Sequence, residues 1–491
     1  MKRYITIAVI LLLMPLIAGA QALKGSYFMD NSVNRHRMNP AFTPRSNYFQ
    51  LPMLGTMGFG MVTNLDAQSF LYPQNGELLT FLHPDVSFEQ FEKSFPKHPH
   101  FDIDYNANLL SFGFFTKQHS YWTFNLDIRT IFDVDLPSDL FYFIKKGIGT
   151  QPQSMNIANF NMYGSASVQA SLGYSRDIID GLRVGVKVRA IAPMAYAGLN
   201  LENVRLNTSK EKWNITTEGY LDIALNGLQM EQTEDMMPSA EFDLNRMLSN
   251  KVLAGFGYSF DLGAEYRWER DGFFNGVRAS VAVTDLGSIH YKKNAVSRFS
   301  TTGSVDWTGV SEIDSMDDEQ LQAALDKVTE DMQGLVNLKQ EESKSFSRST
   351  MPNFYAGLEV PFMWNRMSVG LLYSGRLSHS YMRNELTASF NLKALKWLSL
   401  GVNYSFLNTS GTLGWMLELT PKSGLSFFIG GDYLPLAWLE APLLEDSLDW
   451  EGFLGEDLAN SVGLSSGMMP MSMRLNLHFG ISVVMGSKYG R

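Results

Sequence analysis

The chain has 491 residues and a formal net charge of −10, and it contains 33 Phe, 20 Tyr, 41 Gly and no Cys. This aromatic-rich composition, with only 18% charged residues, excludes a disordered chain, a disulfide-stapled domain and any thiolate-based site. The acidic balance and the lack of a basic patch exclude a nucleic-acid-binding role.

Residues 1–20 have the pattern of a secretory signal peptide. Lys2 and Arg3 precede an apolar run at 5–17, and the small residues at 18–20 precede Gln21. The run is shorter than the roughly 20 residues that a membrane-spanning helix needs, which disfavours the alternative of a retained anchor. We predict export and a mature chain that starts near Gln21.

Several later segments alternate strictly between apolar and polar residues. The last one, 472–484, places Leu475, Leu477 and Phe479 on one parity and Asn476 and His478 on the other. Side chains of a strand point alternately to its two faces, so this pattern predicts strands with one apolar and one polar face.

The alternating segments are about ten residues long, which matches the 9–11 residues that a tilted transmembrane strand requires. Strands can satisfy their backbone hydrogen bonds in a bilayer only within a closed barrel. We therefore predict an all-β fold, a single closed antiparallel barrel in the outer membrane of a Gram-negative bacterium, with outer-membrane lipid around it.

Counting the alternating segments predicts fourteen strands, an even number that places both mature termini in the periplasm. Twelve or sixteen strands remain open, because 201–225 and 289–304 could add strands; we interpret them as extensions beyond the membrane. The predicted strands are 47–63, 103–116, 119–130, 158–177, 182–194, 254–268, 272–285, 352–360, 367–376, 382–393, 397–408, 412–420, 424–434 and 472–484.

The connections between these strands differ in length on the two sides of the barrel. Those on the periplasmic side are short turns, as bacterial barrels generally show. The barrel is predicted to occupy 47–491, with long extracellular loops at 64–102, 131–157, 195–253, 286–351 and 435–470.

Two loop segments could contact other molecules. Residues 317–344 carry apolar residues at three- and four-residue steps, which predicts an amphipathic helix that caps the barrel rim or docks a protein. The apolar loop around 435–470 either folds over the pore mouth or meets lipid or a protein partner. Its candidate contact residues are Trp438, Leu443, Trp450 and Phe453.

Charged residues on the polar parity are predicted to face the lumen. Acids and bases are nearly balanced among them, which favours salt-bridge ladders that stiffen the interior over a filter selective for one sign of charge. These residues are Asp127, Arg129, Lys187, Arg189, Asp261, Glu265, Arg267, Arg278, Glu359, Glu385, Asp432 and Arg474.

Catalytic motifs are not found in the sequence. His98 and His100 with Asp102 and Asp104 could suggest a metal cluster, but a solvated turn explains them better. His478 and Ser482 are four strand residues apart, about 13 Å, which is too far for a nucleophile and its base. We therefore predict a non-enzymatic protein without a metal or cofactor.

Short motifs along the chain resemble a known group of barrels. The stretch R-M-N-P-A-F at 37–42 is similar to the entry segment of long-chain fatty acid transporter (FadL-type) barrels and of their Bacteroidota relatives, including type IX secretion barrel proteins. The segments 284–293, 352–357, 397–405 and 473–480 resemble an uncharacterised Bacteroidota outer-membrane family within that group.

The resemblance implies a fourteen-stranded barrel with residues 21–46 tucked into the lumen as a plug. The matching plug positions are Arg35, His36, Arg37, Met38, Asn39, Pro40 and Ala41. In transporter members this segment takes part in passing hydrophobic cargo. No fatty-acid-binding residue can be carried over from motifs this short.

Two functions are consistent with these observations. The first is FadL-like binding or passage of hydrophobic or amphipathic small molecules. The second is a non-transporting scaffold or secretion-associated barrel, whose extracellular loops dock other outer-membrane or secreted proteins. A continuous apolar tunnel behind the plug would favour transport, whereas a filled lumen with an apolar outer rim would favour the scaffold.

Overall fold

The computed structural model describes part of the chain, and the predicted signal peptide at 1–20 and residues 317–337 of the predicted helix lie outside it. The described residues are 23–486 without 53, 75–76, 147–152, 158–159, 209–212, 226–227, 232–238, 243–252, 308–337, 379–381, 407–410, 422–423, 437 and 441–467.

Fourteen antiparallel strands in the described ranges close into one barrel, which confirms the predicted fold and strand count. They are β1 (Asn47–Gln50 and Met57–Thr63), β2 (His100–Phe115), β3 (Tyr121–Asp135), β4 (Phe160–Ile179), β5 (Leu182–Thr208), β6 (Gly255–Glu269), β7 (Gly276–Tyr291), β8 (Asn353–Phe362), β9 (Met367–Leu377), β10 (Met382–Leu395), β11 (Leu398–Phe406), β12 (Thr412–Leu419), β13 (Leu425–Pro435) and β14 (Leu475–Met485).

The barrel closes between its first and last strands. Asn47 lies opposite Met485, and Met57 lies opposite Phe479. At the end of the barrel where β1 begins and β14 ends, neighbouring strands are joined by connections of about two to six residues. This agrees with the predicted difference in connection length between the two ends. The two-residue turn at 180–181 uses Gly181 at a φ of 80°, which only glycine adopts without strain.

The two faces of the wall differ sharply in chemistry. On β6, Phe260 and Leu262 are 47% and 52% exposed, whereas Asp261 and Glu265 on the opposite parity are buried. The same alternation holds along β14, where Leu477 is exposed and His478 is buried. An apolar outer surface around a polar interior is what lipid on the outside and a polar lumen on the inside require. The protein is therefore an outer-membrane barrel.

Charge placed on the lipid-facing parity should destabilise the barrel according to its depth. We expect Leu262→Arg, in the middle of β6, to lower the free energy of unfolding by about 2–4 kcal/mol. Leu253→Arg, an exposed position just before β6, is the matched control and should cost less than about 1 kcal/mol. Denaturant unfolding in phospholipid vesicles, followed by tryptophan fluorescence, measures both, and equal costs would contradict the assigned membrane face.

The first strand is broken, which corrects the continuous strand predicted at 47–63. Six residues, 51–56, separate the two halves of β1, but only residues 480 and 481 of β14 lie opposite this gap. Pro52 has no backbone N–H to donate, so the extra residues leave the ladder. The wall stays closed because the Ile481 N–H donates to the Leu54 carbonyl at 2.8 Å.

Further strands extend the wall beyond the barrel rim, at the end away from the short turns. Residues 201–208 and 289–291 extend the barrel strands β5 and β7, as predicted. Trp213–Leu225 and Val296–Trp307 are instead separate strands that pair with each other, which corrects the prediction for the rest of 201–225 and 289–304. Neither enters the ring, so the count stays at fourteen. Leu338–Glu341, predicted as the end of the amphipathic helix, is instead a strand that pairs with 298–301.

The other short strands lie in the connections. They are Leu71–Gln74, Glu77–Thr80, Gln153–Ile157, Leu228–Glu231, Ser239–Phe242, Phe346–Ser349, Trp438–Glu440 and Met468–Pro470.

Two α-helices lie in the long loops of the described chain, α1 (Phe88–Ser94) and α2 (Ser138–Lys146). The Ser87 side chain caps α1 by accepting the Gln90 N–H at 3.1 Å. Neither helix is long and apolar enough to span a bilayer. Their aromatic side chains share one small apolar cluster with the 70–81 hairpin, which includes Phe91, Phe95 and Phe141. Single turns of 3₁₀ helix occur at Lys24–Ser26, Arg35–Arg37, Ala67–Ser69, Lys117–His119 and Lys293–Ala295.

Candidate functional site

Residues 23–46, here called the N-terminal segment, contact inward-facing side chains around the barrel wall. The start of the segment is held by β13. The backbone N–H groups of Lys24 and Gly25 donate to the two Asp432 carboxylate oxygens at 2.7 and 2.9 Å. The Lys24 ammonium pairs with Glu385 and donates to the Tyr433 hydroxyl at 2.6 Å. Every polar group of this contact has a partner, which is what burial demands.

The part of the segment nearest the short-turn end of the barrel is fixed by the carboxylate of Asp30. Asp30 is buried and accepts from Arg35 of the segment at 3.0 Å, from Arg278 of β7 at 2.9 Å and from Lys393 of β10 at 2.9 Å. Arg45 reaches the same carboxylate at 3.3 Å. Because Asp30 joins cations from the segment and from two separate strands, it ties the segment to the wall.

The residues that follow turn back towards the middle of the lumen. Arg35 lies 4.1 Å over the ring of Phe42, and Arg37 forms two hydrogen bonds to the Asp127 carboxylate at 3.1 and 3.0 Å. The Asn39 side-chain amide donates to two wall carbonyls at 3.3 Å. A Cβ at Gly185 would lie 2.2 Å from the backbone of Pro40, so the wall needs glycine there to let the segment approach.

His36 is buried in the same turn. Its Nδ1 lies 2.6 Å from the Val33 carbonyl oxygen, and its Nε2 lies 3.2 Å from the Asn125 side-chain oxygen. Burial, together with the nearby charges of Lys187 and Arg37, holds the pKa of His36 well below its usual range. The imidazole is therefore neutral where a solvent-exposed histidine would begin to take up a proton.

This lowered pKa makes the binding of the N-terminal segment to the barrel wall sensitive to acid. A displaced His36 has an ordinary pKa of about 6.5 and binds a proton below that pH, whereas the buried ring does not. The free energy that holds the segment against the wall should therefore decrease as pH falls from 7 to 5, by at most about 1.4 kcal/mol per pH unit. Hydrogen exchange of residues 23–46, corrected for intrinsic rates, measures this.

His36→Gln is the control, because glutamine does not titrate, and it should flatten the pH dependence of exchange. Asp30 is not the source of the slope. Although burial raises its pKa, Arg278, Lys393 and Arg35 lower it well below the usual range, so the carboxylate stays ionised throughout this window. Equal pH slopes in the two proteins would show that His36 is not responsible.

A cavity of about 620 Å³, here called the lumenal chamber, lies on the side of the N-terminal segment that faces away from the short turns. Leu23, Asn34 and Arg37 of the segment line it from one side, and residues 93–98 around the end of α1 line it from the other. Its basic lining residues are Lys24, Arg37, Lys93, Lys97, Arg129, Lys187, Arg189, Arg376, Arg383 and Arg474, and its acidic ones are Asp104, Asp127, Asp285 and Glu385.

Ion pairs between neighbouring strands hold many of these charges in place. Arg129 of β3 pairs with Asp104 at 2.9 Å and with Asp285 at 3.0 Å, and Arg189 pairs with Asp285 and, at 3.1 Å, with Asp261. Asp285 has a left-handed backbone, φ 58°, at a register shift between β6 and β7, and its N–H donates to Asp261 at 2.8 Å. The irregularity aims Asp285 into the lumen.

A second ion cluster lies at the rim of the chamber. Arg383 of β10 pairs with Asp102 of β2, with Asp133 of β3 at 3.2 Å and with Asp135 of β3 at 3.2 Å. Because β10 is a neighbour of neither β2 nor β3 in the barrel, the guanidinium crosses the lumen. The crossing narrows the lumen near its outer end.

Comparison with known proteins places the chain in a family. The sequence profile of a family of unknown function, DUF5723, matches residues 40–432. The chain belongs to the DUF5723 family. This confirms the predicted membership of an uncharacterised family, whereas a Bacteroidota origin and a link to type IX secretion stay predictions. No curated protein sequence is detectably similar to the chain.

This DUF5723 barrel is also similar to solved hydrocarbon-channel structures. A "TodX deltaS2S3 mutant monoaromatic hydrocarbon channel" has 9% identity, with 96% of each chain covered, and a TM-score of 0.38. A Pseudomonas aeruginosa FadL homologue has 11% identity, covering 95% of this chain and 98% of that one, with a TM-score of 0.35. The Pseudomonas putida toluene transporter TodX has 8% identity, covering 95% and 94%, with a TM-score of 0.33. Values this low carry no information about the solute of the DUF5723 barrel.

The twelve charged residues predicted to face the lumen are all buried or partly buried on the inward parity of their strands. The structure brings them together in separate groups, not in one site. Arg278 contacts Glu359 at 3.3 Å, and Arg267 contacts Glu265 at 2.8 Å, both near the short-turn end. The remaining eight all line the chamber or contact its lining residues: Asp127, Arg129, Lys187, Arg189, Asp261, Glu385, Asp432 and Arg474. Asp432 does so by holding Lys24 of the N-terminal segment.

Sequence reasoning missed several residues that the structure places at these contacts. Arg376 and Arg383 lie on the inward parity of predicted strands, so the alternation itself could have found them. Asp30 gave no such signal, because it lies in a segment without periodicity. Asp102 and Asp104, considered only as metal ligands, instead pair with arginines, and the described residues contain no cluster suited to a metal ion.

The candidate partner surface in the last long loop is described only at one position. Trp438 lies in a short strand that pairs with Met468–Pro470 and is partly buried. The other three residues of that surface, Leu443, Trp450 and Phe453, lie outside the described chain. Their contact with lipid or protein stays a prediction.

Proposed function

We propose that this protein is a gated outer-membrane channel that binds a small solute in the lumenal chamber and passes it when the N-terminal segment moves. The single observation that supports this best is the chamber itself, which lies inside the barrel between the segment and the outer loops. On this proposal the segment acts as the plug, and Arg35 to Ala41 are its central contacts with the wall.

The lining of the chamber favours a polar or amphipathic solute over a hydrocarbon. Polar and charged residues outnumber apolar ones in the lining, and Leu23, Met38, Phe95, Tyr355 and Phe428 add a substantial apolar surface. An apolar tunnel, which hydrophobic cargo would need, is not formed by these residues. Of the two solute types that the sequence suggested, the amphipathic one fits better.

The orientation follows from the same asymmetry of the connections. We propose that the end with the short turns faces the periplasm and that both mature termini lie there, after removal of residues 1–20. The chamber mouth near α1 then opens to the outside. We further propose that the protein acts without catalysis.

A disulfide that locks the segment tests the gating proposal. A Cβ at Gly25 would lie 3.5 Å from the Cβ of Met416 on β12, within the range of natural disulfides. The chain has no native cysteine, so Gly25→Cys with Met416→Cys creates the only pair. Solute uptake into liposomes should be blocked when the pair is oxidised and restored by dithiothreitol.

Gly25→Cys alone, treated with the same oxidant, is the matched control and should transport as the reduced pair does. Equal uptake by the oxidised and reduced double variant would overturn gating by this segment. Absence of uptake in every sample, including the parent, would overturn transport altogether and leave the second function.

The second candidate function is a docking scaffold. The observation that favours it is the sheet beyond the barrel rim, built from the outer half of the 27-residue strand β5 with Trp213–Leu225 and Val296–Trp307. Such a projecting sheet offers an edge and a face to a protein partner. This role needs no movement of the N-terminal segment, so the disulfide lock would leave partner binding unchanged.

A further inference from the structure

The charge of the lumenal chamber opposes that of the whole chain. The protein carries a formal charge of −10, yet the chamber is lined by ten Lys and Arg side chains against four Asp and Glu. Four more acids, Asp102, Asp133, Asp135 and Asp261, lie behind the lining and pair with its cations. Even with these included, cations remain in excess, and charges enclosed by a barrel wall interact more strongly than charges on an open surface.

Two of these arginines are poorly matched by protein carboxylates. Arg376 reaches Asp104 only at 3.5 Å, and Asp104 is already paired with Arg129 at 2.9 Å. Arg474 donates its Nε to the carbonyl of Thr63 and forms no ion pair among the described residues. Both residues are more than nine-tenths buried. A guanidinium group has five N–H donors, so each arginine has donors left for a ligand.

Buried polar nitrogen atoms that face the chamber also lack protein partners. Arg376 Nε, Asn34 Nδ2 and His478 Nε2 have no hydrogen-bond partner within the described chain. His478 lies directly opposite Gly58 and Gly430 on the two neighbouring strands, so no cross-strand side chain covers its ring. A buried donor without a partner is destabilising, and a bound acceptor would offset this cost.

We infer that the chamber recognises an oxyanion, a carboxylate or phosphate group, on the solute. This names the chemical class of the solute and rests on the proposed function. A guanidinium group donates two parallel hydrogen bonds to either oxyanion, which a neutral solute cannot exploit in the same way. The exposed Lys93 and Lys97 at the mouth would draw anions towards Arg376 and Arg474.

Calorimetric titration of the detergent-purified full-length protein tests this inference. The probes are inorganic phosphate and succinate, with choline as the cationic comparison, at low and high salt. Arg376→Gln with Arg474→Gln removes the two underpaired charges, and Arg376→Lys with Arg474→Lys keeps them. The matched control, Lys396→Gln with Arg270→Gln, removes two exposed charges at the short-turn end.

We expect one or both anions to bind, choline not to bind, and affinity to fall with salt. The double glutamine variant should bind the anion at least tenfold more weakly, the lysine variant should recover part of the affinity, and the control should match the parent. Whether phosphate or succinate binds shows which of the two oxyanions, phosphate or carboxylate, the chamber recognises.

Two results would overturn the inference: neither anion binds the folded parent, or the control loses as much affinity as the chamber variant. Uptake of neutral solutes without anion binding would reject the oxyanion site and keep the channel. Anion binding without any uptake would keep the site and reject the channel. A shift between heated and unheated samples in gel electrophoresis confirms that each variant remains a folded barrel.

Discussion

Asp30→Asn should release the N-terminal segment from the barrel wall at the short-turn end of the lumen. The substitution keeps the shape of the side chain but leaves Arg35, Arg278 and Lys393 without the carboxylate that they share. Removing one partner of a buried ion pair costs about 3–5 kcal/mol, because the remaining charges stay buried with too few partners. Here Arg278 would keep only Glu359 at 3.3 Å. Trypsin cleavage after Arg35 and Arg37 should therefore accelerate by roughly two to four powers of ten.

Asp271→Asn is the matched control, since Asp271 is exposed in a turn at the same end of the barrel. It should leave the cleavage rate unchanged. If Asp30→Asn were as resistant to trypsin as the parent, the carboxylate would not be what ties the segment to the wall.

Gly185→Val should displace the middle of the segment while leaving the barrel folded. A Cβ at this position meets backbone atoms of Pro40 and Ala41 at 2.2 to 2.4 Å, and backbone cannot rotate away as a side chain can. Valine itself suits a strand. We expect a raised open-channel current in planar bilayers and faster proteolysis of residues 35–41, with an unchanged shift between heated and unheated samples on gels.

Gly164→Val in the adjacent strand β4 is the control. A Cβ there has its nearest neighbour at 3.6 Å, an ordinary van der Waals contact. Currents that are the same in the two variants would mean that the segment does not depend on close approach at Gly185.

The barrel could be predicted from the sequence because its cause is local. Lipid outside and polar groups inside impose a period of two on each strand, and β6 and β14 show it over their whole length. The break at 51–56 was missed because alternation continues on both sides of Pro52. The separate strands Trp213–Leu225 and Val296–Trp307 were only partly recognised, since they lie outside the bilayer and have no lipid-facing parity to reveal their ends.

The contacts in the lumen could not be predicted, because their partners are far apart in the chain. Lys24 meets Asp432, and Asp30 meets Lys393, more than 360 residues away. Parity shows that a charge faces inward but not which strand it reaches across the lumen, as Arg383 does towards Asp102. The sequence therefore predicted balanced ladders, whereas the chamber lining has an excess of cations.

The most direct test of the account is whether Gly25→Cys and Met416→Cys cross-link in intact outer membranes. If residues 23–46 lie in the lumen, the 3.5 Å separation of these Cβ positions predicts nearly complete disulfide formation, seen as a mobility shift without reductant. Gly25→Cys with Gly185→Cys should give no cross-link, because position 185 faces Pro40. Equal yields for the two pairs, or no cross-link between 25 and 416, would contradict a segment held inside the barrel.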